Sequence, residues 1–174
     1  MNLIKTARLR LRKINLLDAD FILRLVSEPA FIENIGNKGI ETLQDARRFI
    51  REGPWTNQEK PGYGQFLVEL IENTEPIGIC GLLYRKELDL TDIGFAVLEK
   101  YRGKGLAYEA AAATMAYGHK QLGVEVIHGL TSERNQASIR LLEKLGLYFD
   151  KIIKTADDDP GTVIYSEKIT RRQH

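Results

Sequence analysis

From Ala7 to Lys13 apolar and basic residues alternate, with Leu9 and Leu11 on one side and Arg8, Arg10 and Arg12 on the other. That period of two predicts a strand whose leucines face a core and whose arginines face water. Over Asn15–Val26 the spacing becomes helical: Leu16, Phe21, Leu25 and Val26 share a side, with Asp18 and Asp20 near the N-terminal end, and Pro29 marks the stop. A second helix starts at Thr42, a hydroxyl cap ahead of Leu43, Ala46, Phe49 and Ile50, and finishes before Gly53-Pro54. A glycine- and proline-bearing loop follows over 53–64. Residues 66–71 and 76–84 then read as a hairpin turning at Asn73-Thr74, and Asp92–Val97 as another strand. Leu106–Leu122 is an alanine-rich helix stopped by Gly123. A strand over Val124–Thr131, a helix over Asn135–Leu145 stopped by Gly146, and strands over Phe149–Lys154 and Thr162–Ile169 complete the chain.

This order predicts an α+β fold: a mixed, mostly antiparallel sheet flanked by helices, with a ligand cleft beside a strand-to-helix turn. With 174 residues and no repeat, linker or low-complexity segment, one domain over 1–174 is expected.

Composition removes several function classes. Lysine and arginine total 25 against 24 acids, a net charge of +1, so there is no broad electrostatic case for nucleic-acid binding. Cys80 is the only cysteine, no Cys/His cluster has zinc spacing, and no metal is expected. The stretch Met1–Thr6 is followed by alternating arginines rather than an apolar leader, and no run of transmembrane length occurs. A cytoplasmic protein without a membrane partner is the expectation.

The chemistry concentrates at Arg102-Gly103-Lys104-Gly105-Leu106-Ala107, between the 92–97 strand and the alanine-rich helix. Glycines there let successive main-chain N–H groups converge on an anion, and the helix N-terminus adds roughly half a positive charge. A Walker loop fails because Lys104 is followed by Gly105 and no hydroxyl stands ready for magnesium. The dinucleotide fingerprint starts well at Gly103 and Gly105 but puts Tyr108 at its last position. The remaining pattern, Arg/Gln-x-x-Gly-x-Gly/Ala, is met by Arg102, Gly105 and Ala107.

With that turn, the opening Thr6–Arg12, the hairpin residues Pro76-Ile77-Gly78, the strand Asp92-Ile93-Gly94-Phe95, and the late Asn135-x-x-Ser138 helix ending Leu145-Gly146-Leu147, the chain resembles the GNAT superfamily of acyl-CoA-dependent N-acyltransferases. Within it the chain looks most like the ribosomal-protein N-terminal acetyltransferase branch. The resemblance implies acetyl-CoA as acyl donor, its pantetheine arm along Phe95-Ala96-Val97 and its pyrophosphate on Arg102, Gly103, Lys104, Gly105, Leu106 and Ala107. Asn135 and Ser138 are implied as contacts to the arm, while simple N-capping by Asn135 fits the same residue. It further implies direct attack by a primary amine, either a protein N-terminus or a small-molecule amine. A monomer or a homodimer is expected. A non-catalytic acyl-CoA-binding module is the remaining alternative.

Many relatives place a tyrosine acid on the late helix, where this chain has Leu141 and Leu142. Ser138 is the candidate substitute, and Asp92 and Glu69 are the candidate bases. His128, Cys80 and the loop aromatics Trp55 and Tyr63 remain secondary: each fits packing at least as well as chemistry. Asp157-Asp158-Asp159 before Pro160-Gly161 reads as a solvated turn, with a role in orienting substrate as the alternative.

Overall fold

A computed structural model describes residues 2–56 and 58–169; Met1 of the N-terminal stretch and Asn57 of the 53–64 loop lie outside the described residues. The alternation around Leu9 and Leu11 becomes strand β2 (Leu9–Lys13), with both leucines fully buried. A four-residue strand, β1 (Asn2–Lys5), precedes it and pairs antiparallel to it. Arg10 and Arg12 do not face water as their alternation predicts. Both meet the carboxylate of Glu69, and Arg12 also holds Asp18 at 2.8 Å. The reason is register: Glu69 lies directly across from Arg10 in the neighbouring strand, and opposite charges on one face pair.

The predicted 15–26 helix divides into a 3₁₀ turn, Leu16–Asp18, and α1 (Ala19–Val26). Pro29 does not merely end it but opens a further short helix, α2 (Pro29–Asn34), at a first-turn position where a missing N–H costs no hydrogen bond. Helix α3 (Leu43–Glu52) is capped by Thr42, with Asp45 returning the bond to the Thr42 N–H.

The sheet continues with β3 (Gly64–Leu70), β4 (Pro76–Arg85), β5 (Leu90–Val97), β6 (Ile127–Thr131), β7 (Tyr148–Ile153) and β8 (Thr162–Ser166). Its spatial order is β1-β2-β3-β4-β5-β6-β8-β7. Every neighbouring pair is antiparallel except β5 and β6, which bears out the mixed, mostly antiparallel α+β sheet. β6 begins later than its apolar residues suggest, because the Val124 N–H closes the end of the preceding helix by donating to Gly118. β8 ends earlier, and the Glu167 carboxylate just beyond it accepts the Ile127 N–H and meets His119.

Two apolar clusters clamp the sheet. On one face α4 (Leu106–Gln121) and α5 (Gln136–Lys144) cover Leu11, Phe66, Leu82, Ile93 and Ile127; on the other α1, α2 and α3 cover Leu67 and Ile79. Ala110, Ala111 and Gly118 keep the α4 surface small enough to lie close against the strands.

The parallel pair creates the opening that matters. β5 and β6 are in register only at Thr91–Ile127 and Asp92–His128, after which both strands run on without a ladder between them. A wedge therefore opens between Ile93–Val97 and Gly129–Thr131, with main-chain groups of β5 lacking a strand partner on that side.

Candidate active site

The wedge is the mouth of a cleft of about 840 Å³ lined by Phe95, Ala96, Val97, Gly105, Asn135 and Ser138 among others. On its other flank β5 is fully paired, Cys80–Phe95, Ile79–Ala96 and Gly78–Val97, so the strand is rigid while its free edge faces the gap.

Below that edge lies the glycine turn. Gly103 and Gly105 both have positive φ, 73° and 75°, and Gly105 is the N-cap of α4. This is the region where glycine escapes the steric cost of a Cβ. Among the described residues, no main-chain N–H from Gly103 to Tyr108 is taken up by a protein acceptor; the first such bond is Glu109 N–H to Gly105 C=O at 3.1 Å. These free donors at a helix N-terminus are suited to a phosphate. The turn is braced from behind: Arg8 Nη1 donates to Lys104 C=O at 3.1 Å, and the Glu109 carboxylate accepts from Thr6 Oγ1 at 2.6 Å and Arg8 Nε at 2.7 Å. Partial burial pushes the Glu109 carboxyl up, but the Thr6 and Arg8 donors outweigh it and hold the group below its usual range.

The side chains of this segment diverge. Arg102 lines the cleft but folds back, its Nε donating to Val97 C=O at 3.2 Å and its guanidinium reaching Glu28 at 3.5 Å. Lys104 is absent from the lining and stacks over the Tyr101 ring at 5.5 Å. The turn thus offers its backbone to the cleft, together with Leu106 and Ala107. Asn135 caps α5, its Oδ1 accepting the Ser138 N–H at 3.2 Å, and both residues face the cleft.

Of the two carboxylates considered as bases, Asp92 lines the cleft and Glu69 does not. Glu69 is 3% exposed and bound by Arg10 and Arg12, part of the charged cluster that joins β2, β3 and Asp18. Asp92 is 2% exposed, and its Oδ1 accepts from Arg85 Nε at 2.6 Å. Burial pushes its carboxyl above the usual range, against the opposing pull of Arg85 and of His128.

Cys80 is fully buried, 3.4 Å from Thr114 Oγ1, and burial pushes its thiol up to about 12, the setting of an inert packing residue. Trp55 is a cleft wall, packed edge-on against Phe49 at 4.8 Å and Phe31 at 6.1 Å, whereas Tyr63 is outside the lining. Asp159 organises its own turn by accepting from Thr155 and Gly161. Lining residues that the sequence pattern did not single out as part of a site include Phe31, Gln65, Arg85 and Tyr108. Tyr108, which spoiled the dinucleotide fingerprint, sits in the first turn of α4 beneath the Lys144 ammonium, 4.4 Å from its ring centre. Asp92 is the only acid among the described lining residues. No described group of three or more His, Cys, Asp or Glu residues is arranged to hold a metal, and no described helix is long and apolar enough to cross a membrane.

Comparison with known proteins bears on the family that the sequence resembles. A curated relative described as an uncharacterized N-acetyltransferase p20, from Bacillus licheniformis, is 27% identical over 177 residues, covering 100% of this chain and 99% of that protein. The crystal structure of a GNAT-family acetyltransferase from Bacillus anthracis superposes with a TM-score of 0.76 at 26% identity, covering 94% of this chain and 96% of that one. RimL, a ribosomal L7/L12 α-N-protein acetyltransferase solved with coenzyme A, shares the fold with a TM-score of 0.81 at 16% identity, covering 97% and 98%. The family profile described as an acetyltransferase (GNAT) domain matches residues 8–148, from the β2 arginines through α5, so the chain belongs to the GNAT acetyltransferase family and is an acyl-CoA-dependent acetyltransferase.

Proposed function

We propose that the protein transfers the acetyl group of acetyl-CoA to a primary α-amine, that of a protein N-terminus, by direct attack within the cleft. The observation that carries this reading is three features that line one cleft: unclaimed amides at 103–108, a β5 edge at Phe95–Val97 with no strand partner on that side among the described residues, and the buried carboxylate of Asp92 further back along β5. In this reading the amides from Gly103 to Ala107 hold the pyrophosphate, the β5 edge pairs with the pantetheine arm as an added strand would, and Asn135 and Ser138 contact the arm from α5. The RimL structure was solved with coenzyme A, which supports the choice of donor.

The chemistry asks for little. The amine nitrogen attacks the thioester carbon, a C–N bond forms, the C–S bond breaks, one proton leaves the nitrogen and one must reach the departing sulfur. Asp92 takes the first proton. Its raised pKa makes it a better base than an ordinary carboxylate, and an α-amine near 7.7–8.0 is already partly neutral, whereas a lysine near 10.4 would need over two more units of help. Ser138 passes the second proton to the sulfur and regains one from solvent water as it does so, in place of the tyrosine absent at Leu141 and Leu142. Glu69, held by two arginines outside the cleft, keeps a structural part. A single lining acid favours a monoamine over a polyamine, whose several charges would call for several carboxylates.

The test is coenzyme A release across a panel of peptides with free N-termini, amino acids and small amines, set beside acetyl-CoA affinity by calorimetry. Turnover of peptides above small amines supports the reading. Tight acetyl-CoA binding with turnover confined to small amines moves the acceptor to the small-molecule class.

A further inference from the structure

Gln65 is a polar residue that neither the fold nor the transfer chemistry uses. It lies on β3 and is 6% exposed. Its main-chain N–H donates to Trp55 C=O at 2.6 Å, which fixes both residues at the cleft wall. In register it faces Gly81 of β4, and Gly81 in turn faces Gly94 of β5. With no side chain at either glycine, the Gln65 side chain crosses two strands. A Cβ on Gly94 would collide with its Nε2, so the amide nitrogen rests over Gly94, a residue that also lines the cleft. The Gln65 Oε1 is buried without a hydrogen-bond partner among the described residues.

A buried amide oxygen left unmatched costs stability, whereas an apolar residue of similar length would fill the same space at no such cost. Its position shows what it faces. Asp92 is on the same face of β5, two residues from Gly94, hence roughly 7 Å along the strand. In an α-amino carbonyl compound the nitrogen and the carbonyl oxygen are roughly 3 Å apart. With a hydrogen bond of about 3 Å at each end, the reach of such a molecule is up to roughly 9 Å, enough to bridge Asp92 and the amide over Gly94 with its bonds inclined to the strand. Its side chain then meets the apolar wall of Phe31, Phe49 and Trp55.

We propose that Gln65 is a specificity residue: its amide N–H donates to the carbonyl oxygen adjacent to the attacking amine, so the enzyme prefers α-amino carbonyl acceptors with an apolar side chain to plain amines of the same shape. The inference rests on the acetyltransferase reading above, because it needs the amine to approach between Asp92 and the β5 edge.

Phenylalaninamide and 2-phenylethylamine carry the same benzyl group and differ in the carbonyl. Because they also differ in basicity, the quantity to read is the change in the ratio of their kcat/KM values between the parent enzyme and Gln65→Met. The ratio is expected to fall at least tenfold in favour of the plain amine. Gly94→Ala, whose methyl takes the space of the amide end, is expected to lower the ratio in the same direction and serves if Gln65→Met fails to fold. A ratio unchanged within threefold overturns the proposal, as does failure of the parent enzyme to acetylate phenylalaninamide. Calorimetry with acetyl-CoA separates the two levels: absence of binding overturns the acetyltransferase reading and this inference with it, whereas binding with an unchanged ratio overturns the inference alone.

Discussion

The two halves of the cleft are built on opposite principles. The half proposed to take the donor is main chain from one short stretch: the β5 edge at Phe95–Val97 and the amides of Gly103–Tyr108, with the Arg102 and Lys104 side chains turned to Val97 and Tyr101. The half proposed to take the acceptor is side chains gathered from α2, α3, the 53–64 loop, β3, β4 and β5: Phe31, Phe49, Trp55, Gln65, Arg85 and Asp92. A backbone site tolerates wide change in side chains so long as its turn geometry survives, whereas a side-chain site changes with single substitutions. One fold can therefore keep a common donor while its acceptor varies.

The comparison breaks most sharply at Asp92, the one acid of the acceptor half. Asp92→Asn is expected to lower kcat by about 10²–10⁴ while leaving acetyl-CoA affinity intact in calorimetry. With Asp92 as the proposed base, the active form is the carboxylate. Burial raises its pKa, so the acid limb of the pH–rate profile is expected above the ordinary range near 3.9, with activity lost as pH falls through it. Loss of cofactor binding in Asp92→Asn would show that the halves are not separable.

On the donor side, Gly105→Glu places a residue with a Cβ at a φ of 75° and a negative charge beside the amides. The left-handed conformation alone costs about 1–2 kcal/mol, and with charge repulsion the acetyl-CoA affinity should fall by about 100-fold. Unchanged affinity would remove the turn as the phosphate site. Ser138, on α5, stands outside both sets, and Ser138→Ala is expected to slow turnover about tenfold, less than a full general-acid effect because water can also protonate a thiolate. A normal rate with the chemical step limiting would rule it out as the donor.

The smallest effect belongs to the brace behind the turn. Glu109→Gln should cost about 1–2 kcal/mol in denaturant unfolding by weakening its bonds to Thr6 and Arg8. The Glu109 pKa is lowered in the folded state, so its contribution is present above the unfolded value near 4.5 and is lost as pH falls below it. The variant should show a correspondingly shallower loss of stability on acidification.

Legibility in the sequence follows the same division. The 102–107 turn was readable because glycine spacing, a preceding strand and a following helix all lie within one local stretch. Asp92 was readable as a candidate because it shares that strand. Glu69 looked equivalent to it, and only the cross-strand arginines of β2 distinguish the two. Pro29 reads locally as a stop, and only the packing of Phe31 in the α1–α3 cluster makes it a start as well. Gln65 carried no signal at all, since its meaning comes from two glycines on two other strands.

What the chain dictated by itself was local: alternation gave strands, three-to-four spacing gave helices, and paired glycines gave a turn with free amides, because each depends on sterics between residues close in sequence. What only the tertiary structure decided was which carboxylate reaches the cleft, which aromatics wall it, and where the β5 and β6 ladder ends. These depend on register and twist between strands distant in the chain, and no window of residues contains that information.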